Sequence, residues 1–295
     1  MYSITNVLPP VKVTIITCTF NSAKTLLWNL ESVSRQTYQN IEHIIVDNVS
    51  KDDTLQILDQ YAHIAKIVSE PDKGIYDGLC KGIKMAEGDI IGILNSDDYL
   101  ANNDIIEKIV AKFNSDNCDA IYGNLVYVKN KSPDNIHRVW VGGGYNERLF
   151  YRGWMPPHPT FYVKKDVYEK FGCFNLSLKY AADYEILLRF LLKYKIRVSV
   201  IPEIMVYMRT GGASNKNILR RLVVHSEDYE AWKINGLKPK WYTLWLKPMR
   251  KIYQFIVHQI IIKWMVHIPP SHEKDSFMNS LKYKTRLMRL QKNTN

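Results

Sequence analysis

Two adjacent carboxylates follow an apolar run and are the first candidates for chemistry. Asp97 and Asp98 close the segment Asn95-Ser96-Asp97-Asp98, directly after the apolar run at 90–94. Adjacent carboxylates beside a buried strand repel each other and lose hydration unless a cation or a hydrogen-bond donor offsets the cost. The sequence therefore predicts that this strand end holds a metal-bound phosphate, with a solvated Asp-Asp turn as the alternative.

Polar groups follow three other apolar runs in the same way. The runs at 13–19, 41–46 and 65–69 are each followed by a short polar loop. In an open parallel sheet the carboxyl ends of the strands line a single crevice, where ligands bind. We therefore expect one crevice formed by Thr17, Thr19, Asn21, Asp47, Asp72, Gly74 and the segment Asn95 to Asp98.

The order of the elements indicates an α/β fold. Continuous β-branched runs, typical of strands covered on both faces, alternate with helical segments as far as residue 98. The pattern predicts an open, mostly parallel sheet flanked by helices, followed by a less regular half. The predicted helices are 24–36, 55–61, 74–86, 104–114, 165–172 and 182–194, and the later strands are 120–128, 138–140 and 198–201.

Charge divides the chain into two parts. Residues 1–215 carry 24 basic and 24 acidic residues, whereas 216–295 carry 16 basic and 5 acidic ones, which accounts for the whole net charge of +11. This asymmetry predicts a catalytic domain at 1–215 and a basic extension at 216–295 that contacts an anionic surface. It argues against nucleic acid wrapped around the whole protein.

Cysteine spacing and apolar runs give expectations about location. Cys18, Cys80, Cys118 and Cys173 include no C-x-x-C pair, so we expect neither a zinc site nor a disulfide framework, and a reducing compartment. The first ten residues lack a basic start followed by an apolar core, so we expect no secretory signal and a location in the cytosol. Polar residues interrupt the run 252–268, which is shorter than the roughly 20 apolar residues of a spanning helix, so none is expected.

Five segments together resemble the family 2 glycosyltransferases of the GT-A fold. They are TIITCTFN at 14–21, IIVDNVSKDDT at 44–54, DKGIYDGLCKG at 72–82, GDIIGILNSDD at 88–98 and AADYE at 181–185. The resemblance covers about residues 11–215. It implies a Rossmann-like nucleotide-sugar-binding half at 11–100, a mixed acceptor half at 101–215 and a helical C-terminal extension.

The resemblance also assigns roles in nucleotide binding. It implies that Thr17 and Thr19 approach the nucleotide, together with Asn21 and Ser96. Asp47 would hydrogen-bond the base, with an Asx turn into the next helix as the alternative. Asp72 would contact base or ribose, and Gly74 would let the backbone come close to the ligand. The chain departs from the family at 78–80, where Gly-Leu-Cys replaces the usual Ala-x-Asn.

The acidic loop matches the family's metal-binding Asp-x-Asp, with Asn95 in place of the first Asp. The resemblance implies that Asp97 binds Mg²⁺ or Mn²⁺, which acts as a Lewis acid on the departing nucleoside diphosphate. Asn95 and Asp98 would contact the ribose or hold the metal ligand in place.

Asp183 matches the general base that deprotonates the acceptor hydroxyl for an inverting displacement. Its alternative is a first-turn Asp stabilised by the helix dipole. His158 lies in a rigid segment at 154–160 that resembles the frame around donor and acceptor, and its alternative is a structural histidine in a proline turn. The residues assigned to the sugars are Asp98, His158, Ala182 and Gly212, the last in a loop that either closes over the nucleotide or is an ordinary linker.

The expected function is a metal-dependent inverting glycosyltransferase that moves a hexose from a nucleoside diphosphate, UDP above all, to a surface glycan. The aromatic and basic segment 241–256 predicts peripheral contact with the cytosolic membrane face and a lipid-linked acceptor, or else a helix packed on its own domain. An inactive nucleotide- or glycan-binding scaffold is the alternative. A nucleotidyltransferase or a dehydrogenase would need a glycine-rich loop after the first strand, and 19–22 has none.

Overall fold

The computed structural model describes residues 10–129, 132–210 and 218–250. Within them, nine strands form one sheet in the order β3-β2-β1-β4-β8-β6-β9-β5, with β7 paired to β6. The strands are β1 (Val13–Thr19), β2 (Ile41–Asp47), β3 (Ile64–Ser69), β4 (Ile90–Ile93), β5 (Tyr99–Leu100), β6 (Ala120–Lys129), β7 (Ser132–Trp140), β8 (Tyr162–Lys164) and β9 (Val198–Arg209).

Helices cover both faces of this sheet. They are α1 (Leu26–Ser34), α2 (Thr54–Leu58), α3 (Ile75–Met85), α4 (Ile105–Ser115), α5 (Glu147–Tyr151), α6 (Lys165–Phe171), α7 (Ala182–Leu187) and α8 (Ile218–Ile234). A 3₁₀ turn at His158–Thr160, a π-helix at Leu188–Lys193 and a helical segment at 243–250 complete the described elements.

The first four strands are parallel, as the apolar runs predict. β1 pairs with β2 and β4, and β2 pairs with β3, so that Thr19, Asp47 and Ser69 lie side by side across the sheet. Successive residues of β1 serve opposite faces because side chains alternate along a strand. Ile15 packs in the cluster under α4 and Ile16 in the cluster under α3, both without exposed surface.

The second half of the sheet is mixed. β8 runs antiparallel to β4 and β6, whereas β9 runs parallel to β6. β9 continues to Arg209, beyond the predicted end at 201, because the long β6 offers a partner for its whole length. The helix predicted at 182–194 changes at Leu188 into a π-helix. The fold is the expected one, with a parallel half and a mixed half.

The described part of the C-terminal region packs on the rest of the protein. Trp232 of α8 is fully buried and donates from Nε1 to the Tyr184 hydroxyl of α7 at 2.9 Å. None of the described helices is long and apolar enough to cross a membrane. Residues 252–268 lie outside the described part of the chain.

The expectation that the cysteines form no disulfide is wrong for one pair. Cys80 of α3 is bonded to Cys173, which follows α6, and their Cα atoms are 5.8 Å apart. The two positions are 93 residues apart, so only the packing of α3 against the segment after α6 reveals the pair. Cys18 and Cys118 are free thiols. Cysteine spacing therefore gives no support to the expected reducing compartment.

Candidate functional site

The site lies at the carboxyl edge of β1, β2 and β4, and Thr17 belongs to its floor. The Thr17 hydroxyl is buried and donates to the Leu94 carbonyl at 2.8 Å, while Nε2 of His43 lies 3.1 Å away. Asn29 donates from Nδ2 to the Asn95 carbonyl at 2.9 Å. Thr17 has no exposed surface in this structure, and its bond to Leu94 fixes where the acidic loop begins; its predicted nucleotide contact stays a prediction.

Asp47 ties the ends of three strands together. Its carboxylate accepts from Thr19 Oγ1 at 2.8 Å, from Ser69 Oγ at 2.7 Å and from the Ser50 backbone at 2.9 Å, and the Ser50 hydroxyl also donates to it. Burial works to raise the pKa of Asp47, but the donations from Ser50, Ser69 and Thr19 outweigh it and hold the pKa below its usual value. The Ser50 backbone bond comes from three residues on, one more than in an Asx turn, and it closes the loop after β2 locally. A base contact, which stays a prediction, requires one of these bonds to exchange.

Two loops meet at the entrance of the crevice. Asn21 adopts a positive φ of 50° and accepts the Lys51 backbone N–H at its side-chain oxygen, 2.8 Å away. The Ser22 and Ser96 hydroxyls lie 2.9 Å apart and join the β1 loop to the acidic loop. Asn21 therefore holds the loop at Lys51, and Ser96 holds the acidic loop to the β1 loop. The ligand contacts predicted for both residues stay predictions.

Gly74 lies at the exposed rim of the crevice. Its φ of 122° is a conformation that residues with a Cβ rarely adopt, which explains the glycine. Its N–H donates to Asp72 Oδ1 at 2.8 Å, and a Cβ placed there would meet no atom within 4 Å. The backbone is thus open to a ligand, while Asp72 is half-buried and shapes the turn.

The acidic loop concentrates charge in a small volume. Asp98 is fully buried and accepts from Asn95 Nδ2 at 2.9 Å, whereas Asp97 is half-buried. Burial and then the charge of Asp97 raise the pKa of Asp98 well above its usual value, and burial raises that of Asp97. The Asn95 amide donates a hydrogen bond to Asp98, whereas an Asp at position 95 would add a third carboxylate that repels the other two. The departure from the family's first Asp therefore has a local physical reason.

This charge suits a divalent cation. The described residues contain no group of three or more His, Cys, Asp or Glu side chains that could hold a metal by themselves. Mg²⁺, however, commonly takes one or two protein carboxylates and completes its shell with phosphate oxygens and water. Asp97, the more accessible carboxylate, fits that role, because a cation would relieve its repulsion with Asp98.

Arg209 is a residue of the site that the sequence reasoning missed. Its guanidinium lies 5.1 Å from the Trp28 ring centre, and its backbone N–H lies 3.4 Å from Asp98 Oδ1. Burial lowers the pKa of Arg209, and the nearby Tyr99, Asp97 and Asp98 work against that shift. No pattern indicated Arg209, because the predicted strand ended eight residues before it. Its positive charge partly balances the acidic loop.

The second carboxylate, Asp183, lies at the first turn of α7 with two polar neighbours. His158 Nδ1 is 3.2 Å from Asp183 Oδ2, in poor alignment for a hydrogen bond, and the Tyr76 hydroxyl is 3.4 Å from Oδ1. The side chains of His158 and Asp183 are 34% and 23% exposed, so the pair is open to solvent. Burial and then the Asp183 charge raise the pKa of Tyr76, which keeps its hydroxyl a donor. Tyr76 was missed although it lies in the 72–82 segment.

The charges of two carboxylates, Asp98 and Asp183, both affect Tyr127. Burial is the main cause that raises the pKa of its phenol, and the charges of Asp98 and Asp183 both add to the shift. Arg138 lies over the ring, 3.8 Å from its centre, and lowers the pKa. The charges of Asp98 and Asp183 therefore both reach this one phenol.

Two residues predicted to contact the sugars are not accessible. Ala182 is fully buried in the core around α7, and Asp98 is fully buried beneath Asn95. In this structure Ala182 serves the core and Asp98 serves the acidic loop, and direct sugar contact by either side chain stays a prediction. Gly212 lies outside the described residues.

The chain is similar to known glycosyltransferases. The profile of glycosyl transferase family 2 matches residues 14–175, more than half of the chain. A PGL/p-HBAD biosynthesis glycosyltransferase of Mycobacterium bovis is 26% identical over 218 residues, 70% of this chain and 82% of that protein. An uncharacterized glycosyltransferase of Rickettsia typhi is 29% identical over 229 residues, 74% and 69% of the two chains.

A solved structure shares the fold. The crystal structure of S. aureus TarS 1–349 with UDP-GlcNAc has a TM-score of 0.59 and 20% identity to this chain. The match covers 76% of this chain and 65% of the TarS chain. The similarity is that of a GT-A fold. With the profile match across the strands that build the crevice, it follows that the chain belongs to glycosyl transferase family 2.

Proposed function

We propose that the protein transfers a hexose from a UDP-linked donor to a surface-glycan acceptor, with inversion at the anomeric carbon. The observation that carries this proposal is the pair of partly exposed carboxylates, Asp97 in the acidic loop after β4 and Asp183 in the first turn of α7, in a chain of glycosyl transferase family 2. The TarS structures with UDP-GlcNAc and with UDP support a uridine nucleotide donor.

Asp183 takes the proton of the acceptor hydroxyl in this proposal. Its carboxylate is partly exposed, as a general base must be; the Tyr76 hydroxyl donates to Oδ1, and His158 Nδ1 lies 3.2 Å from Oδ2. The deprotonated acceptor oxygen would attack the anomeric carbon of the donor sugar from one face while the nucleoside diphosphate leaves from the opposite face, which is a direct displacement. The proposed inversion follows from that arrangement.

The acidic loop and Arg209 receive the leaving group. Asp97 would hold Mg²⁺ or Mn²⁺, with Asn95 and Asp98 orienting the loop from below. The bound metal would supply Lewis-acid stabilisation of the charge that grows on the nucleoside diphosphate. Arg209 already places a positive charge beside the two carboxylates, and the phosphates would compete for it.

Calorimetric titration tests the donor site first. UDP, GDP, dTDP and CMP are each titrated with Mn²⁺ and with EDTA, and we expect UDP to bind in a metal-dependent way. Asp97→Ala should abolish the metal-dependent part of the affinity, because it removes the accessible carboxylate. An Asp97→Ala affinity that still depends on Mn²⁺ would eliminate this residue as the ligand.

Turnover tests the base. UDP-glucose, UDP-galactose and UDP-GlcNAc serve as donors, and release of UDP to water is followed. Asp183→Asn should lower kcat by at least about 100-fold while leaving UDP affinity intact. Asp166→Asn is the matched control, because Asp166 is also an acidic residue in the first turn of a helix. Equal effects of the two substitutions would show that only the helix dipole is involved.

The inactive scaffold is the alternative outcome of the same tests. It would bind UDP without hydrolysis or transfer of any donor sugar. This alternative rests on Asn95 in place of the first Asp of the metal-binding motif. Asn95, however, donates a hydrogen bond to Asp98 and so stabilises the acidic loop, which an active enzyme also needs.

We propose in addition a peripheral contact with an anionic membrane on the cytosolic face, where a lipid-linked acceptor would lie. Trp241, Trp245 and Met249 recur every four residues along the segment that becomes helical at 243, and are 86%, 68% and 58% exposed. Residues 231–250 include five basic residues and no acidic one. Exposed tryptophans beside basic residues are typical of helices that lie in a membrane interface.

Vesicle binding tests this contact. We expect the full chain to co-sediment with vesicles that contain phosphatidylserine and much less with pure phosphatidylcholine vesicles. Replacement of Trp241 and Trp245 by Ala should weaken the binding at least about tenfold, since each tryptophan buries a large apolar surface. Leu176→Ala is the control, because Leu176 is 51% exposed elsewhere on the protein. An unchanged affinity of the tryptophan variant would refute the contact.

A further inference from the structure

A carboxylate from the C-terminal helix holds the loop before α7. Glu227 of α8 accepts three consecutive backbone N–H groups: Lys179 at 3.0 Å on Oε1, and Tyr180 at 2.7 Å and Ala181 at 2.9 Å on Oε2. Hydrogen bonds to a charged acceptor are roughly twice as strong as neutral ones. Three of them therefore fix the path of this short segment.

The segment held by Glu227 leads directly to Asp183. Ala181 is the N-cap of α7, and Asp183 is the second helical residue. The Tyr180 carbonyl accepts the Tyr76 hydroxyl at 3.2 Å, so Glu227 and Tyr76 bond to the two sides of the same residue. A shift of this backbone would move the Asp183 carboxylate relative to Tyr76 and His158.

Side chains of α8 and of the residues after α8 attach this part of the chain to α7. Trp232 donates to the Tyr184 hydroxyl, and Asn235 Nδ2 donates to Glu185 Oε1 at 3.1 Å. Lys247 lies 3.5 Å from the Tyr184 ring centre and forms an ion pair with the buried Asp228, next to Glu227. Glu227 thus projects from a helix that these contacts attach to α7.

We infer that Glu227 is a positioning residue for the transfer reaction, and that α8 completes the catalytic unit. The inference rests on the proposed role of Asp183 as the base. It adds a residue beyond 14–175, the segment that the family profile matches. The competing explanation is that Glu227 only caps α7 and stabilises the fold, as a carboxylate at a helix N-terminus does.

Amide exchange and kinetics of Glu227→Gln separate these explanations. The amide keeps the size of the side chain but removes its charge and puts a donor group against backbone donors. We expect exchange of the Lys179, Tyr180 and Ala181 amides to become about tenfold faster. With the UDP-sugar panel, kcat should fall about tenfold while KM and UDP affinity stay within about twofold, since a misplaced base affects the chemical step alone.

Glu230→Gln is the matched control. Glu230 lies on the same helix and forms only a surface pair with Lys233 at 3.6 Å, so its loss should change neither exchange nor kcat. Glu227→Asp keeps the charge and should recover part of the lost kcat.

Three results would overturn the inference. Unchanged amide exchange in Glu227→Gln would show that the loop does not need this carboxylate. Faster exchange with an unchanged kcat would leave Glu227 as a helix cap alone. A parallel loss of kcat, UDP affinity and stability would indicate general unfolding. Because exchange is measured without substrate, a wild-type protein that turns over no donor would count against the proposed function, while exchange still decides whether Glu227 holds the loop.

Discussion

Tyr76→Phe tests whether the neighbours of Asp183 orient it. The substitution removes one hydroxyl, which lies 3.2 Å from the Tyr180 carbonyl and 3.4 Å from Asp183 Oδ1. The ring keeps its stacked contact with Phe174, whose centre is 5.3 Å away. The change therefore isolates the hydrogen bonds of Tyr76 from its packing.

The expected loss follows from these distances. A neutral hydrogen bond contributes about 0.5–1.5 kcal/mol net and one to a charged group about 1.5–3 kcal/mol. One proton is shared between two acceptors at long distances, so we take the lower range, about 1 kcal/mol. If the whole of it orients the base in the transition state, kcat falls about fivefold. The free energy of unfolding should fall by about the same 1 kcal/mol, because the part-buried Tyr180 carbonyl loses its donor.

UDP release at saturating donor measures kcat, and urea unfolding measures stability. Tyr194→Phe is the matched control, since Tyr194 is 41% exposed and stacks on Phe171 at the end of the π-helix. It should change neither quantity.

Two results would refute the reasoning. An unchanged kcat with a lower stability would mean that the Tyr76 hydroxyl serves the fold alone. A loss of more than about 100-fold is the size expected for a group that transfers a proton, so Tyr76 would then take part in the chemistry rather than orient Asp183.

Three further predictions concern stability. Reductant should lower the free energy of unfolding by about 2–4 kcal/mol, because the Cys80–Cys173 bond closes a long loop; urea unfolding with and without dithiothreitol measures it, and the Cys80→Ser/Cys173→Ser variant should not respond. Folding lowers the pKa of Asp47, so its contribution to the free energy of unfolding is present above the unfolded pKa of about 3.9 and is lost as pH falls through the folded pKa. The free energy of unfolding, measured from pH 6 to pH 2, should therefore depend less on pH in Asp47→Asn than in the wild type. An equal dependence on pH in the two proteins would contradict this. Gly92→Ala should destabilise by about 1–3 kcal/mol because its Cβ would lie 2.1 Å from the Tyr162 ring, whereas Gly144→Ala, which has open space, is the control in thermal unfolding.

The parallel half of the fold was predictable because local pattern and tertiary role agree there. The runs that became β1, β2 and β4 are rich in the β-branched residues Val, Ile and Thr, which is typical of strands covered on both faces. Their polar ends therefore also gave the position of the crevice. The strand direction of the second half depends on pairing between distant segments, and no local pattern contains that information.

The site shows the same division. Asp97 and Asp183 could be proposed from the sequence because each stands at the end or the beginning of an element that the sequence marks clearly, and their roles stay predictions. Arg209 and Tyr76 were missed, since their roles depend on the length of β9 and on the packing of α3 beside α7. The disulfide was missed for the same reason, because its two cysteines meet only after α3 and the segment behind α6 have docked.

Asp47 illustrates why residue type alone does not assign a role. A carboxylate at a strand end can accept from a bound base or from its own loop, and the sequence is the same in both cases. In this structure four donations from Thr19, Ser50 and Ser69 occupy both oxygens, so the loop already satisfies Asp47. A nucleotide that binds here must either exchange one of those bonds or contact the edge of the network that Asp47 holds. Asp47→Asn compared with Ser69→Ala separates these cases, because both remove bonds of the network and only the first removes the carboxylate. A loss of UDP affinity in Asp47→Asn alone requires direct contact, whereas a similar loss in both variants indicates support of the loop.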